Sequence, residues 1–320
     1  MKSQLSLKKT DQLEEDEKTQ FLQLFSLVFS KGMTVSQFDR KYLRTPLGYS
    51  YHGWMWANNS LVGAYNTIPY NYYYFGESVT FCLSVDTMVG QQYRRLHPLA
   101  LLEMANSVVD FMKQDRICFV FGSPNDNAYT YTTRVLKWHR MGELDFYVLP
   151  RNLGAVMPRL RWLNFLSRVC AGVFVRLPAR KRRTEPQYPV EKKRNRLFAE
   201  HRYDTSYGSV DLDCESECTY KIYCEDFGVR VLYLIDVHPL TPAAFDNAIE
   251  RVYVKCSHTF DIMLYVGKLP FVPTRMIRVP ESRKPRRIQL CGRILDPQIV
   301  DERILQIENW NINISNLDVR

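Results

Sequence analysis

Between Val79 and Val89 the apolar positions alternate. Val79, Phe81, Leu83, Val85, Thr87 and Val89 fall on one side, and Thr80, Cys82, Ser84, Asp86 and Met88 on the other. That period of two predicts a strand. A basic loop follows. From Pro98, suited to the first helical position, Leu102, Ala105, Val108, Val109 and Met112 recur at helical spacing as far as Gln114. A helix that starts on a basic loop gathers unpaired amides and the positive end of its dipole, so it can hold an anion such as a pyrophosphate. The same strand, loop and helix also occurs as plain architecture in α/β domains.

Around this unit the pattern predicts a helix over Leu13 to Phe29, with an acidic cluster at its start. A second begins at Thr34, where Thr34 and Gln37 form a capping box, and ends before Pro46. Residues 1–12 read as a short lead-in strand or a loose end. Tyr51–Ala57, Ser60–Tyr74 and Thr80–Val89 read as successive antiparallel strands, turned by Asn58-Asn59 and Gly76. The apolar strand Ile117 to Phe121 must return beside the central strand, and a short helix capped by Asn125 or Asn127 runs to about Leu136. A strand over Glu143 to Leu149 closes the first unit.

The second half shows the same order: a strand over Val229 to Val237, a helix capped by Thr241 with Pro242 in its first turn, and a strand over Asp261 to Val266. FVFGSPN at 119–125 is echoed by LYVGKLP at 264–270, each a strand that breaks at glycine, which suggests a structural duplication. A strand over Arg287 to Arg293, a helix over Asp301 to Glu308 and a strand over Trp310 to Ile314 would complete it. The division expected is 1–150, a basic helix and linker over 151–196, and a second lobe over 197–320.

Charge sharpens this picture. Of 43 Lys and Arg, 13 fall in residues 151–200 against 3 Glu, while the rest of the chain is close to neutral. An anionic partner near one segment fits that distribution better than a nucleic-acid coating. Leu160 to Val175 reads as an amphipathic helix with Leu160, Trp162, Leu163, Phe165, Leu166 and Val169 on its apolar face. That face is expected to pack between the lobes, with an anionic membrane surface or a nucleic acid as the alternative. Eight scattered cysteines contain no CxxC pair, and no histidine lies among Cys214, Cys218 and Cys224, so reduced thiols in a cytoplasmic protein without a metal are expected. No apolar run reaches the roughly 20 residues a membrane span needs.

FDRKYLRTPLGYS at 38–50, SVDTMVGQQYRR at 84–95, SPNDNAYTYTTRVLKW at 123–138 and NWNINISNLDVR at 309–320 resemble the GNAT superfamily of acyl-CoA-dependent N-acyltransferases, in particular its bacterial two-lobed members. The resemblance implies an α/β fold with a mixed sheet, a GNAT-like first domain and a second, degenerate GNAT-like lobe. It also implies a cleft where the central strand and the next one splay apart around residue 88. Acyl-CoA would lie there, with strand backbone at Met88 and Val89 along its pantetheine arm and its pyrophosphate on Arg94, Arg95, Leu96, His97 and Leu99. The family's loop carries glycines where Arg95 and His97 stand. Those side chains either distort the amide cradle or substitute cations for it. Lys137 likewise replaces a glycine that the family often has before the tryptophan.

Acyl transfer to an amine needs a proton acceptor, donors on the developing oxyanion and an acid near the leaving sulfur. Asp86 is the candidate base, with a purely structural hydrogen bond as its alternative. The resemblance implies Tyr129 as the acid, with Tyr131 its rival. Of Asn125 and Asn127, one is expected to cap the helix and the other to meet the pantetheine amides. The tyrosine-rich strand Tyr65 to Tyr74 would face the acceptor, while His139 lies at the surface. The activity implied is transfer of an acetyl or other short acyl group from acetyl-CoA or another acyl-CoA to the primary amine of a small molecule, for example an amino sugar. A Fem-type transferase using aminoacyl-tRNA, or a non-catalytic binding module on the same fold, are the alternatives.

Overall fold

The chain is described by a computed structural model over residues 3–176, 188–213, 216–225 and 228–318. Cys214 and the start of the linker expected from Pro178 lie outside the described residues. β1 (Ser3–Lys9) pairs antiparallel with β2 (Tyr51–Ala57), so the N-terminal stretch is a strand. Between them come α1 (Glu15–Phe29) and α2 (Val35–Tyr42). Thr34 and Gln37 form the predicted capping box, each side chain taking the other's backbone N–H, at 3.2 and 2.9 Å. β2 turns into β3 (Ser60–Tyr74) through Asn58 and Asn59, both at positive φ as a two-residue hairpin needs.

β3 turns at Phe75-Gly76 into β4 (Glu77–Val89), followed by a short α3 (Gln91–Leu96), then α4 (Ala100–Gln114), β5 (Phe119–Gly122), α5 (Asp126–Arg134), β6 (His139–Glu143) and β7 (Asp145–Pro150). The basic loop expected after β4 is therefore mostly helical. α6 (Leu153–Val156), a 3-10 turn over Pro158–Leu163 and α7 (Asn164–Arg176) come next.

β8 (Val190–Lys192), α8 (Arg196–Arg202), β9 (Gly208–Asp211), β10 (Glu217–Cys224), β11 (Arg230–His238), α9 (Pro242–Cys256), β12 (Ile262–Gly267), β13 (Ile277–Arg278), β14 (Gln289–Ile294) and β15 (Trp310–Asn311) complete the chain. Where a helix over Asp301 to Glu308 was expected there are two 3-10 turns. Ile304, Ile307 and Trp310 recur every third residue, which suits three residues per turn and buries all three side chains.

These strands form two sheets that exchange members. The first runs β1-β2-β3-β4-β5-β14-β6, with β8 and β15 beside the end of β3. The second runs β13-β7-β12-β11-β10-β9. Only Leu144 separates β6 from β7, too little for a hairpin, and its amide donates to the carbonyl of Ile288 at 3.0 Å. β7 therefore passes on to β12 in the second sheet, while β14 from the second half sits between β5 and β6 in the first. α1 and α2 cover one face of the first sheet and α4 the other; α9 covers the second sheet.

Trp310 ties the two halves. Its ring lies 5.4 to 5.9 Å, between centroids, from those of Tyr72, Phe81, Phe119 and Phe121, and its indole N–H donates to the carbonyl of Ile304 at 2.7 Å. The Tyr65–Tyr74 strand is packed in the same way. Tyr65, Tyr70, Tyr72 and Tyr74 are buried, so the open acceptor surface expected of them is absent, and only Tyr73 is exposed. Among the described residues no helix is long and apolar enough to cross a membrane. Trp310→Ala is expected to cost about 3–5 kcal/mol, since the cavity lies where four aromatic rings meet and cannot collapse. Urea unfolding checks this, and a loss below about 1 kcal/mol would deny Trp310 its keying role.

Candidate functional site

The parallel pairing of β4 with β5 covers only Phe81–Leu83 and Phe119–Phe121. β5 ends at Gly122, whereas β4 runs on to Val89 against β3. A Cβ on Gly122 would stand 3.3 Å from the Ser84 carbonyl oxygen, so the two backbones approach closely at the point of separation. The segments thus part after Leu83, earlier than the expected position near Met88. Beyond it, Ser84 to Val89 has no strand partner on the β5 side among the described residues.

A bulge sets the direction of this free edge. Ala64 pairs with Met88 and Asn66 with Val85, leaving Asp86 and Thr87 opposite Tyr65 alone, with Asp86 at φ 42. The bulge resets the alternation. Val85 and Met88 both enter the core under α1 and α2, and Val89 enters the core under α4. A strict period of two over the whole strand could not anticipate this.

Buried polar groups hold the bulge. Asn66 donates through Nδ2 to the Asp86 carbonyl at 3.1 Å. Its Oδ1 accepts from Trp54 Nε1 and from His52 Nδ1, both at 2.9 Å. His52 Nε2 is left to accept from the Thr10 hydroxyl at 2.9 Å. Burial pushes the His52 pKa down to about 4, against the pull of Asn66, so the ring stays neutral.

The Asp86 carboxylate meets Lys41 and Tyr42 on α2. Oδ2 accepts from Lys41 Nζ at 2.6 Å and from the Tyr42 hydroxyl at 2.5 Å, and Lys41 also pairs with Asp318 near the C-terminus. No hydrogen bond falls on Oδ1 among the described residues. Burial alone would lower the Lys41 pKa, but Asp318 and Asp86 outweigh it and raise it. The Tyr42 hydroxyl is held far up by burial and by Asp86, so it stays protonated and donates. Lys41, Tyr42 and Asp318 were missed as site residues, although they stand in the FDRKYLR and NLDVR stretches that carry the resemblance.

The other candidates lie at the far end of the opening or across it. Arg94 turns back on its own chain, its Nη2 donating to the Val89 carbonyl at 2.9 Å, which engages that carbonyl. The Met88 side chain is buried, which leaves only its backbone at the edge. Arg95, Leu96 and Leu99 are exposed, and His97 stacks on Tyr93 at 4.5 Å between ring centroids. Leu99, at the N-cap of α4, makes no side-chain cap. Asn125 caps α5, its side chain accepting from Ala128 N at 2.9 Å, while Asn127 is exposed. Tyr129 is half-buried on the first turn of α5. Burial raises the pKa of its rival Tyr131.

Residues 9–134 match the family model of the acetyltransferase (GNAT) domain. That stretch of the first lobe is a GNAT acetyltransferase domain. No curated protein matches it in sequence. Solved structures share its fold across both lobes at low identity. A probable N-acyltransferase from Enterococcus faecalis has a TM-score of 0.62 at 10% identity, covering 92% of this chain and 73% of that one. A GCN5-related N-acetyltransferase from Anabaena variabilis has 0.58 at 11%, covering 91% and 73%. Eis1 from Mycobacterium abscessus has 0.56 at 10%, covering 94% and 76%.

Both lobes show a parting of parallel strands, and among the described residues the first leaves it open while the second does not. In the second, β11 and β12 pair in parallel over Val231–Leu234 and Ile262–Tyr265, and a bulge at Ile235 follows at once. Gly267 ends β12 as Gly122 ends β5, so the glycine echo in the sequence marks equivalent places. Here the chain's own C-terminal stretch fills the gap. Asn313 bridges to Gly267, and Lys268 N donates to the Ile312 carbonyl at 2.9 Å. Asn313 Nδ2 donates to Asp236 at 2.9 Å, and Lys192 and Arg194 pair with the same carboxylate at 3.0 Å. Part of the basic charge expected in a linker is therefore buried in an ion pair.

Burial lowers the pKa of His201 as well as that of His52, each to about 4 from an ordinary 6.5. Between those values the unfolded chain binds more protons than the folded one. The stability these rings contribute is whole above pH 6.5 and is lost as the pH falls through 4. The loss expected is up to about 3 kcal/mol per histidine. Proton NMR of the imidazole Cε1–H should show His52 neutral at pH 5.5; titration near 6.5 would contradict the buried network.

Proposed function

We infer that this GNAT protein transfers a short acyl group, most simply acetyl, from acyl-CoA to the primary amine of a small molecule in the opening between β4 and β5. The observation that carries this reading is the free β4 edge beyond Leu83, bent by the bulge at Asp86. Unpaired strand amides and carbonyls suit the amide-rich pantetheine arm, and an amide aimed at the thioester carbonyl stabilises the oxyanion that forms there. With Val89 engaged by Arg94, the edge available runs from Ser84 to Met88.

The residues present fit the donor in a modified way. Where glycines would bring amides to a pyrophosphate, Arg95 and His97 supply cationic or protonatable side chains beside the uncapped start of α4. The amine enters beside Asp86, whose Oδ1 takes the ammonium proton while Oδ2 stays fixed by Lys41 and Tyr42. The nitrogen attacks the thioester carbon, the C–S bond breaks, the Tyr129 hydroxyl protonates the departing thiolate, and the second proton shed by the new amide nitrogen restores Tyr129. Asn127 meets the pantetheine arm. Acetyl-CoA is the first donor to test, and amino sugars are the first acceptors.

Acetyl-CoA should raise the melting temperature of the purified protein, because a ligand that binds only the folded state stabilises it. Thiol release with a panel of amines then finds the acceptor. Asp86→Asn and Tyr129→Phe should each lower kcat by roughly 100-fold or more while the shift given by acetyl-CoA persists. No shift with CoA or any short acyl-CoA would overturn the reading.

A further inference from the structure

α7 is turned inside out relative to an ordinary surface helix. The residues that face the protein are small or short: Ser167, Ala171 and Val175 are buried. The large apolar side chains face solvent. Trp162, in the preceding 3-10 turn, is 77% exposed and Phe165 78%, and Leu166, Val169, Val173 and Phe174 extend the exposed stripe along the helix. The expected packing of this face between the lobes is therefore not what the chain does. Its inner edge rests on α9, where the Tyr253 hydroxyl reaches the Arg168 carbonyl at 3.5 Å.

Charge says what covers the outer face. From residue 146 to residue 184 the sequence contains no Asp or Glu, and it contains nine Lys and Arg. Arg159, Arg161 and Arg176 are exposed at the two ends of the stripe, and no described carboxylate pairs with them. A second copy of this chain would bring like charges together across the stripe. A nucleic acid would leave Leu166, Val169 and Val173 without a partner. An anionic bilayer surface takes both parts, its acyl boundary covering the apolar residues and its headgroups meeting the arginines, with Trp162 at the level where its ring is favoured. α7 has 13 residues, too few to cross a bilayer, which suits a helix that lies in the interface.

We propose that the face of α7 and the preceding turn, from Trp162 to Phe174, docks the protein on anionic lipid surfaces. The proposal does not depend on the acyl-transfer reading. It is tested by flotation of the full-length protein with vesicles of phosphatidylcholine alone and of phosphatidylcholine with one-third phosphatidylglycerol. Anionic vesicles should carry at least roughly tenfold more protein, and added salt should weaken the binding. The double variant Phe165→Ser with Leu166→Ser, and separately Arg159→Gln with Arg161→Gln, should each reduce binding roughly tenfold or more. All four positions are exposed, so thermal unfolding should be unchanged. In the intact protein, brominated lipid should quench the Trp162 emission.

Equal or absent binding to both vesicle types would overturn the proposal, as would variants that float like the parent. Self-association without lipid that the Phe165→Ser, Leu166→Ser variant abolishes would assign the face to a second copy instead. Binding to single-stranded RNA at low salt with no vesicle binding would assign it to a nucleic acid.

Discussion

A parallel pairing three residues long, followed by a bulge, decides what the rest of the first lobe is for. Hydrogen bonds between parallel strands would normally continue as far as both strands do. Here β5 stops at Gly122, and the following turn into α5 takes its chain away, while β4 continues under the constraint of β3. The result is a strand with one edge paired and the other open inside a folded domain. Such an edge is costly to leave bare and useful when a ligand rich in amides completes it. The bulge at Asp86 adds direction, and the buried Asn66, His52 and Thr10 hydrogen bonds keep it from relaxing into regular pairing.

The second lobe supplies an internal comparison. It has a similarly short parallel pairing, a bulge soon after it and a glycine at the same strand end, yet its opening is occupied by Ile312 and Asn313. Asp236 follows that bulge as Asp86 follows the first parting, and each carboxylate is neutralised by cations from another element. Lys192 and Arg194 hold the buried Asp236 far below the usual carboxylate range, against the cost of burial. Breaking one partner of such a buried cluster is expensive, so the cluster commits the C-terminal stretch to this lobe. The same stretch places Trp310 under the first sheet, so a single segment closes one cleft and braces the lobe that keeps the other.

Much of the frame was legible in the residues. The Thr34–Gln37 capping box, the Asn58-Asn59 turn and the strand, helix and strand around α4 follow from local chemistry, which tertiary contacts did not override. The echo of FVFG and LYVG pointed to equivalent strand ends. What was hidden depends on contacts distant in sequence. The bulge depends on the buried Asn66, and an alternating stretch gives no sign of it. Lys41 and Asp318 lie far apart in the chain and meet only because α2 and the C-terminus flank the same strand. The basic run around Lys192 and Arg194 pointed to an anionic partner outside the chain because its own acidic partner, Asp236, comes 42 residues after Arg194. The exposed apolar face of α7 has the composition of a buried one, and only the fold shows that its small residues point inward.

On this reading the first opening, and not the second, accepts a thioester donor along the free edge of β4. Amide hydrogen exchange with and without acetyl-CoA tests it most directly. Acetyl-CoA should slow exchange at residues 84–88 and in the first turn of α4, with residues 234–238 of β11 unchanged. Protection confined to β11 and β12, or an exchange pattern unaltered by saturating acetyl-CoA, would contradict it.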